Sequence, residues 1–218
     1  MLLQDGTIVK DNKTSLTLSL SFAFYLLQIK WEYRLVVPQR CRVYVTVDGT
    51  DFRIKEPSPF SKSWYSHKYK GPGVQYEVAI CIATGWIVWL RGPYRCGSWP
   101  DLSIAQDALH LYLDDGERYV ADNGYNCQEA LIPNDVQTFY EMYYMSTARS
   151  RHETVNQLFK QFRVIGNRFH RSVDLHGQFT FAIANIIQLG IMIGEVEPFD
   201  LSYFHQPPTW PSGTVVLP

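Results

Sequence analysis

The chain has 218 residues, 46% of them hydrophobic and 15% aromatic, which is ample for one folded unit with a sizeable core and points to a soluble globular protein. Twenty basic residues stand against 21 acidic ones, a formal charge of -1. That balance excludes a chain whose overall charge alone would mark it as a nucleic-acid binder.

Residues 1–38 match no recognisable pattern and form an unassigned N-terminal segment. Within them Leu16, Leu18, Leu20, Phe22 and Phe24 alternate with Thr17, Ser19, Ser21 and Ala23, a period of two that fits an edge strand. The same stretch, residues 15–29, imitates a signal-peptide apolar region. It is too short for a bilayer, which takes about 20 residues. The following Lys30-Trp31-Glu32-Tyr33-Arg34 is a poor small-residue cleavage site. A protein without a membrane span, nuclear or otherwise intracellular, is expected.

Three antiparallel strands follow, over residues 42–47, 76–83 and 86–90, with Thr84-Gly85 as a two-residue turn between the last two. A helix is expected over residues 98–113, then a short strand over 118–121, then an amphipathic helix in which Val155, Leu158, Phe159 and Phe162 recur at helical spacing. The segment from Phe179 to Ile193 is nearly apolar all round and reads as a buried closing helix. Residues 196–218 carry Pro207, Pro208, Pro211 and Pro218 and read as an extended tail. This order of elements is that of an α/β, ribonuclease-H-like mixed sheet flanked by helices, in which the first and fourth predicted strands lie side by side. The main domain spans residues 39–195.

The four cysteines, Cys41, Cys81, Cys96 and Cys127, form no Cys-x-x-Cys pair and have no histidine close in sequence. They read as buried reduced thiols, not a zinc knuckle.

Three acids stand where structure would aim them at one point. Asp48 ends the extended run Val43-Tyr44-Val45-Thr46-Val47, Asp122 ends Arg118-Tyr119-Val120-Ala121, and Glu153 lies on the amphipathic helix. Hard divalent cations prefer carboxylate oxygens, and phosphodiester chemistry often uses two such ions. On the helix, Arg149, Glu153, Asn156 and Lys160 step along one polar stripe, which also suits an ordinary solvated face. His152-Glu153 has the start of a His-Glu-x-x-His zinc-protease helix, but Asn156 stands where the second histidine must be.

The arrangement of strand Asp, strand Asp and helix Glu resembles the DDE superfamily endonucleases, the nuclease domains of transposases, and within them the Harbinger-like group. The resemblance runs over residues 43–189. It is carried by Val47-Asp48-Gly49-Thr50, by Gly92-Pro93 followed by Ser98-Trp99-Pro100-Asp101-Leu102, by Ala121-Asp122-Asn123-Gly124-Tyr125, and by residues 149–162. It implies metal-binding carboxylates at Asp48, Asp101, Asp122 and Glu153, with Asp48, Asp122 and Glu153 catalytic. It also implies magnesium or manganese as cofactor, as a pair of ions, and cleavage of double-stranded DNA followed by strand transfer. A separate Myb-like protein as the source of DNA specificity is a further implication; a homo-oligomer stays open. Asp101 has a second reading as a first-turn acid behind a capping Ser98.

Local charge suits a DNA substrate, although charge runs of this kind are more often plain solvated faces. The basic, aromatic segment with Lys62, Trp64, His67, Lys68 and Lys70 offers cations for phosphates and rings for stacking, and Arg149 and Lys160 flank Glu153. The alternative is a domesticated, catalytically retired module that keeps the fold and a DNA-binding or interaction surface.

Overall fold

The computed structural model describes residues 29–37, 42–59, 61–136 and 138–195. The alternating segment up to residue 28, the tail from 196, Cys41 and His205 lie outside them.

A six-stranded mixed sheet forms the centre. Its strands are β1 (Val43–Arg53), β2 (Tyr65–Ser66), β3 (Gly71–Cys81), β4 (Ile87–Arg95), β5 (Arg118–Val120) and β6 (Ala130–Leu131). The path runs β2-β3-β1-β5-β6, with β4 paired to β3. β1 pairs antiparallel with β3, and β3 with β4, while β1 and β5 run parallel, as do β5 and β6. The side-by-side first and fourth predicted strands are thus β1 and β5. Helices α1 (Asp101–Asp107), α2 (Phe139–Gln161), α3 (Arg163–Gly166) and α4 (Val173–Met192) complete the fold. This is an α/β, ribonuclease-H-like architecture. Among the described residues no helix is long and apolar enough to cross a membrane.

Alternation along the strands divides the core between two layers. Val74, Tyr76, Val78 and Ile80 of β3 join Phe52 of β1 against Val155 and Phe159 of α2 and Ile183, Ala184 and Ile187 of α4. The opposite face carries Val45, Val47, Ala79 and Cys81, packed on Ala105 of α1, Leu109, Tyr119 and Tyr125. Both faces of β3 are therefore covered, which is why its sequence reads as one apolar run. The first described segment is tied down by Arg34, which is buried and forks onto Glu117, with Nε to Oε1 at 2.8 Å and Nη2 to Oε2 at 2.9 Å. Its guanidinium also covers the Trp31 ring at 4.4 Å.

Four expectations need correction. The β3–β4 connection is not a two-residue turn on Thr84-Gly85, because Gly85 N bonds Cys81 O and Cys81 N bonds Trp86 O, closing a longer loop. The helix expected over residues 98–113 breaks at Ala108, which leaves helical backbone at φ -137°, ψ -61°, and continues as a 3-10 turn over Leu109–Tyr112. Pro100, not Ser98, precedes α1, and no side chain caps it. The closing helix is buried along one face only, through His176, Thr180, Ile183, Ala184, Ile187 and Ile191, while Phe179, Phe181, Ile186 and Met192 are exposed.

α2 is longer than its sequence signal. Thr138 Oγ1 accepts from Glu141 N and Glu141 Oε2 accepts from Thr138 N, a reciprocal cap that starts the helix well before the apolar stripe. Fully buried Phe159 then anchors its last turns, edge-on to Phe52 at 6.1 Å. Phe159→Ala should cost about 3–5 kcal/mol of unfolding free energy in urea titrations; a loss below about 1 kcal/mol would show that α2 is not held to the sheet there.

Candidate active site

β1 and β5 set the site. Their parallel register pairs Val45 with Tyr119 and Thr46 with Val120; two residues further along each chain stand Asp48 and Asp122. Asp48 shares its sheet face with Thr46, and Thr46 Oγ1 contacts His152 Nε2 of α2 in the core. The next residue on that helix, Glu153, is exposed. Asp48, Asp122, Glu153 and Arg149 consequently line one cavity of about 520 Å³, whose apolar wall includes Pro133, Val136, Met142 and Met145.

Asp48 does not sit at a strand tip, because β1 continues to Arg53 and Asp48 is paired with Val78 in mid-strand. The glycine after it makes room for a neighbouring side chain. A Cβ on Gly49 would lie 2.4 Å from Asp101 Oδ1. Gly124 plays the same part, since a Cβ there would lie 2.9 Å from Asp122 Oδ1 and 3.2 Å from Asp101 Oδ2. The two missing side chains let Asp101, at the start of α1, reach the acidic pair from the other layer of the sheet. Gln75 Nε2 donates to Asp101 Oδ1. Asp122 does leave a strand end; its Oδ1 accepts from Gly124 N at 2.8 Å.

Crowding and burial tell on the charges. Asp48 is pushed up from 3.8 to about 6, chiefly by burial and then by Asp122, against the opposing Gly49 N–H. Asp101 is pushed up to about 6 by burial, Asp122 and Asp51, with Gln75 opposing. Lys68 lowers both. Lys160 is itself lowered, by burial and by Lys68, with Asp51 and Asp48 opposing.

A family model described as DDE superfamily endonuclease matches residues 47–189, a span that contains all four acids. The chain belongs to the DDE superfamily endonucleases. No curated protein and no solved structure matches it.

Other sequence-predicted residues of this DDE endonuclease are placed unevenly. Lys62, His67, Lys68 and Lys70 are exposed, whereas Trp64 is half-buried, packs on the core and has the Arg95 guanidinium 4.7 Å over its ring. It is less available for stacking on bases than its sequence suggests. Asn156 leaves the polar stripe and is buried with Arg151 and His152, so the stripe reduces to Arg149, Glu153 and Lys160. The zinc-protease start dissolves, because His152 points into the core at Thr46 and burial pushes its imidazole down to about 3. Asp51 lies in β1 and accepts from Ser66 Oγ at 2.5 Å.

Sequence reasoning missed Glu77. It is buried in β3, accepts from Trp89 Nε1 at 3.0 Å, and burial raises it to about 8. Burial thus favours its protonated form, which adds no anion beside Asp101. The available signal was a lone acid inside the run Tyr76-Glu77-Val78-Ala79-Ile80.

The folded Asp48 carboxyl titrates above its ordinary value, so its contribution to stability is complete below pH 3.8 and is lost as pH rises through about 6. Asp48→Asn keeps the acceptor for Gly49 N and should gain about 2 kcal/mol at pH 7.5 in chelator. The gain should vanish near pH 4. A destabilised Asp48→Asn at pH 7.5, measured by thermal unfolding, would contradict this electrostatic picture.

Proposed function

We propose that this DDE superfamily endonuclease is the catalytic domain of a transposase, a divalent-metal-dependent nuclease that hydrolyses DNA phosphodiesters and transfers DNA strands. The observation that carries the reading is the convergence of Asp48 from β1, Asp122 from the end of β5 and Glu153 from α2 on one cavity. The donor set fits magnesium or manganese, since every candidate ligand is a carboxylate oxygen. The raised values of Asp48 and Asp101 mark an anionic cluster that a divalent cation would relieve. Asp48, Asp122 and Glu153 would hold a pair of ions, with Asp101 the fourth carboxylate, entering from the α1 side. The chemistry such ions supply when bound is activation of water or a DNA 3′-hydroxyl and stabilisation of the leaving oxygen.

The protein's own groups do the positioning. Gly49 N and Gly124 N fix one oxygen each of Asp48 and Asp122. Arg149, on the cavity wall one helical turn before Glu153, would hold a phosphate. Lys68 and Lys160 add positive charge near Asp48, and Lys62, His67 and Lys70 extend a basic rim for double-stranded DNA outside the cavity. A Harbinger-like subtype, a Myb-like partner that supplies target choice, and action in the nucleus belong to the same proposal.

One observation favours the second reading, a retired DNA-binding or interaction module. Among the described residues no three of these carboxylates bring one oxygen each within 4.8 Å of one another. Plasmid nicking separates the two readings. Wild type should nick supercoiled DNA in magnesium and not in chelator, and Asp122→Asn and Glu153→Gln should not. Glu153→Asp withdraws the carboxylate by one methylene, and a displacement on the order of 1 Å costs about 100-fold in rate. Nicking by Glu153→Gln at the wild-type rate would leave the binding module as the better account.

A further inference from the structure

A second cluster stands apart from the carboxylate cavity. His110, Cys127 and Glu129 bring a nitrogen, a sulfur and a carboxylate oxygen within 4.8 Å of one another. His110 belongs to the 3-10 turn that continues α1, and Cys127 and Glu129 to the loop between Asp122 and β6. All three are half-buried and line an open cleft of about 710 Å³.

The Tyr119 hydroxyl organises them. It lies 3.0 Å from His110 Nε2 and 3.5 Å from Cys127 Sγ. In the tautomer in which Nε2–H donates to the hydroxyl and the hydroxyl donates to sulfur, Nδ1 keeps a bare lone pair. That lone pair stands 4.0 Å from Glu129 Oε2, so two acceptors face each other at a distance too long for a hydrogen bond. Two metal–ligand bonds of about 2.0–2.2 Å meeting at a tetrahedral angle set their ligand atoms about 3.4 Å apart, so the partly exposed Glu129 side chain would have to close by roughly half an ångström. A hydrogen bond to the non-ligating nitrogen is also the usual support of a metal-bound histidine.

We propose that His110, Cys127 and Glu129 form a binding site for a divalent transition metal of the zinc class, with Tyr119 orienting the histidine and the thiolate. Nitrogen, sulfur and carboxylate together select zinc or cobalt over magnesium, so this site and the all-oxygen set differ in the ion they take. The consequence is mechanical. The ion joins the continuation of α1, which starts at Asp101, to the loop that starts at Asp122, and so fixes two of the acids relative to each other. The metal site itself does not depend on the nuclease reading.

The full chain, stripped with chelator, is titrated with cobalt and followed by its absorption spectrum. The expected result is a saturable thiolate-to-cobalt charge-transfer band that equimolar zinc abolishes and millimolar magnesium does not. The band should be absent in Cys127→Ala, unchanged in Asp48→Asn and Asp122→Asn, and about 10-fold or more weaker in apparent affinity in Glu129→Gln and His110→Ala. Zinc should raise the melting temperature of wild type and not of Cys127→Ala. If Cys127→Ala does not fold, Glu129→Gln decides, since its side chain is 41% exposed and the change leaves packing in place. No band in wild type, a band retained in Cys127→Ala, or wild-type affinity in Glu129→Gln overturns the site.

Discussion

The parallel pairing of β1 with β5 is the constraint on which the rest of the structure depends. It aligns Thr46 with Val120, and from that register Asp48 and Asp122 emerge side by side without further adjustment. Parallel neighbours need a crossover between them, and here that connection runs through β2, β3, β4 and α1. The same pairing that sets the two aspartates together therefore also delivers Asp101 to them from the α1 layer. α2 closes the opposite face through Val155 and Phe159 and carries Glu153 on the wall of the cavity that Asp48 also lines.

Bringing like charges together in a partly desolvated place has a cost, visible in the raised values of Asp48 and Asp101. The chain limits that cost through backbone donors and Gln75, and through burial that favours the protonated form of Glu77. What remains uncompensated is a preference for positive charge, which Lys68, Lys160 and Arg149 meet in part. Stability is thus given up where the proposed chemistry needs an anionic pocket, a familiar exchange at functional sites.

Much of this was legible in the chain. Alternation in Val43-Tyr44-Val45-Thr46-Val47 and in the β3 run exposed the strands, and Asp122 was rightly expected at a strand end. Asp48 was not, because Asp-Gly is also the commonest turn signal; nothing local distinguishes a glycine that turns from one that makes room for Asp101. Spacing put Asn156 with Arg149, Glu153 and Lys160, but the same helical period puts it with His152, and only the docked sheet decides which face is inward. At the break at Ala108 the chain delivers Leu109 to the core, a tertiary contact that leaves no mark on local propensity. His110, Cys127 and Glu129 stayed invisible for a simpler reason: their ligand spacing exists only after β5 has folded between them.

The central claim is that Asp48 belongs to a carboxylate site for a hard divalent cation. Calorimetric titration of magnesium into the chelator-stripped protein at pH 7.5 tests it most directly, because it needs no knowledge of the DNA target. Wild type should bind magnesium saturably, and Asp48→Asn, folded and more stable, should show no binding over the same range. Identical isotherms for the two proteins, or no magnesium binding by wild type, would contradict the account.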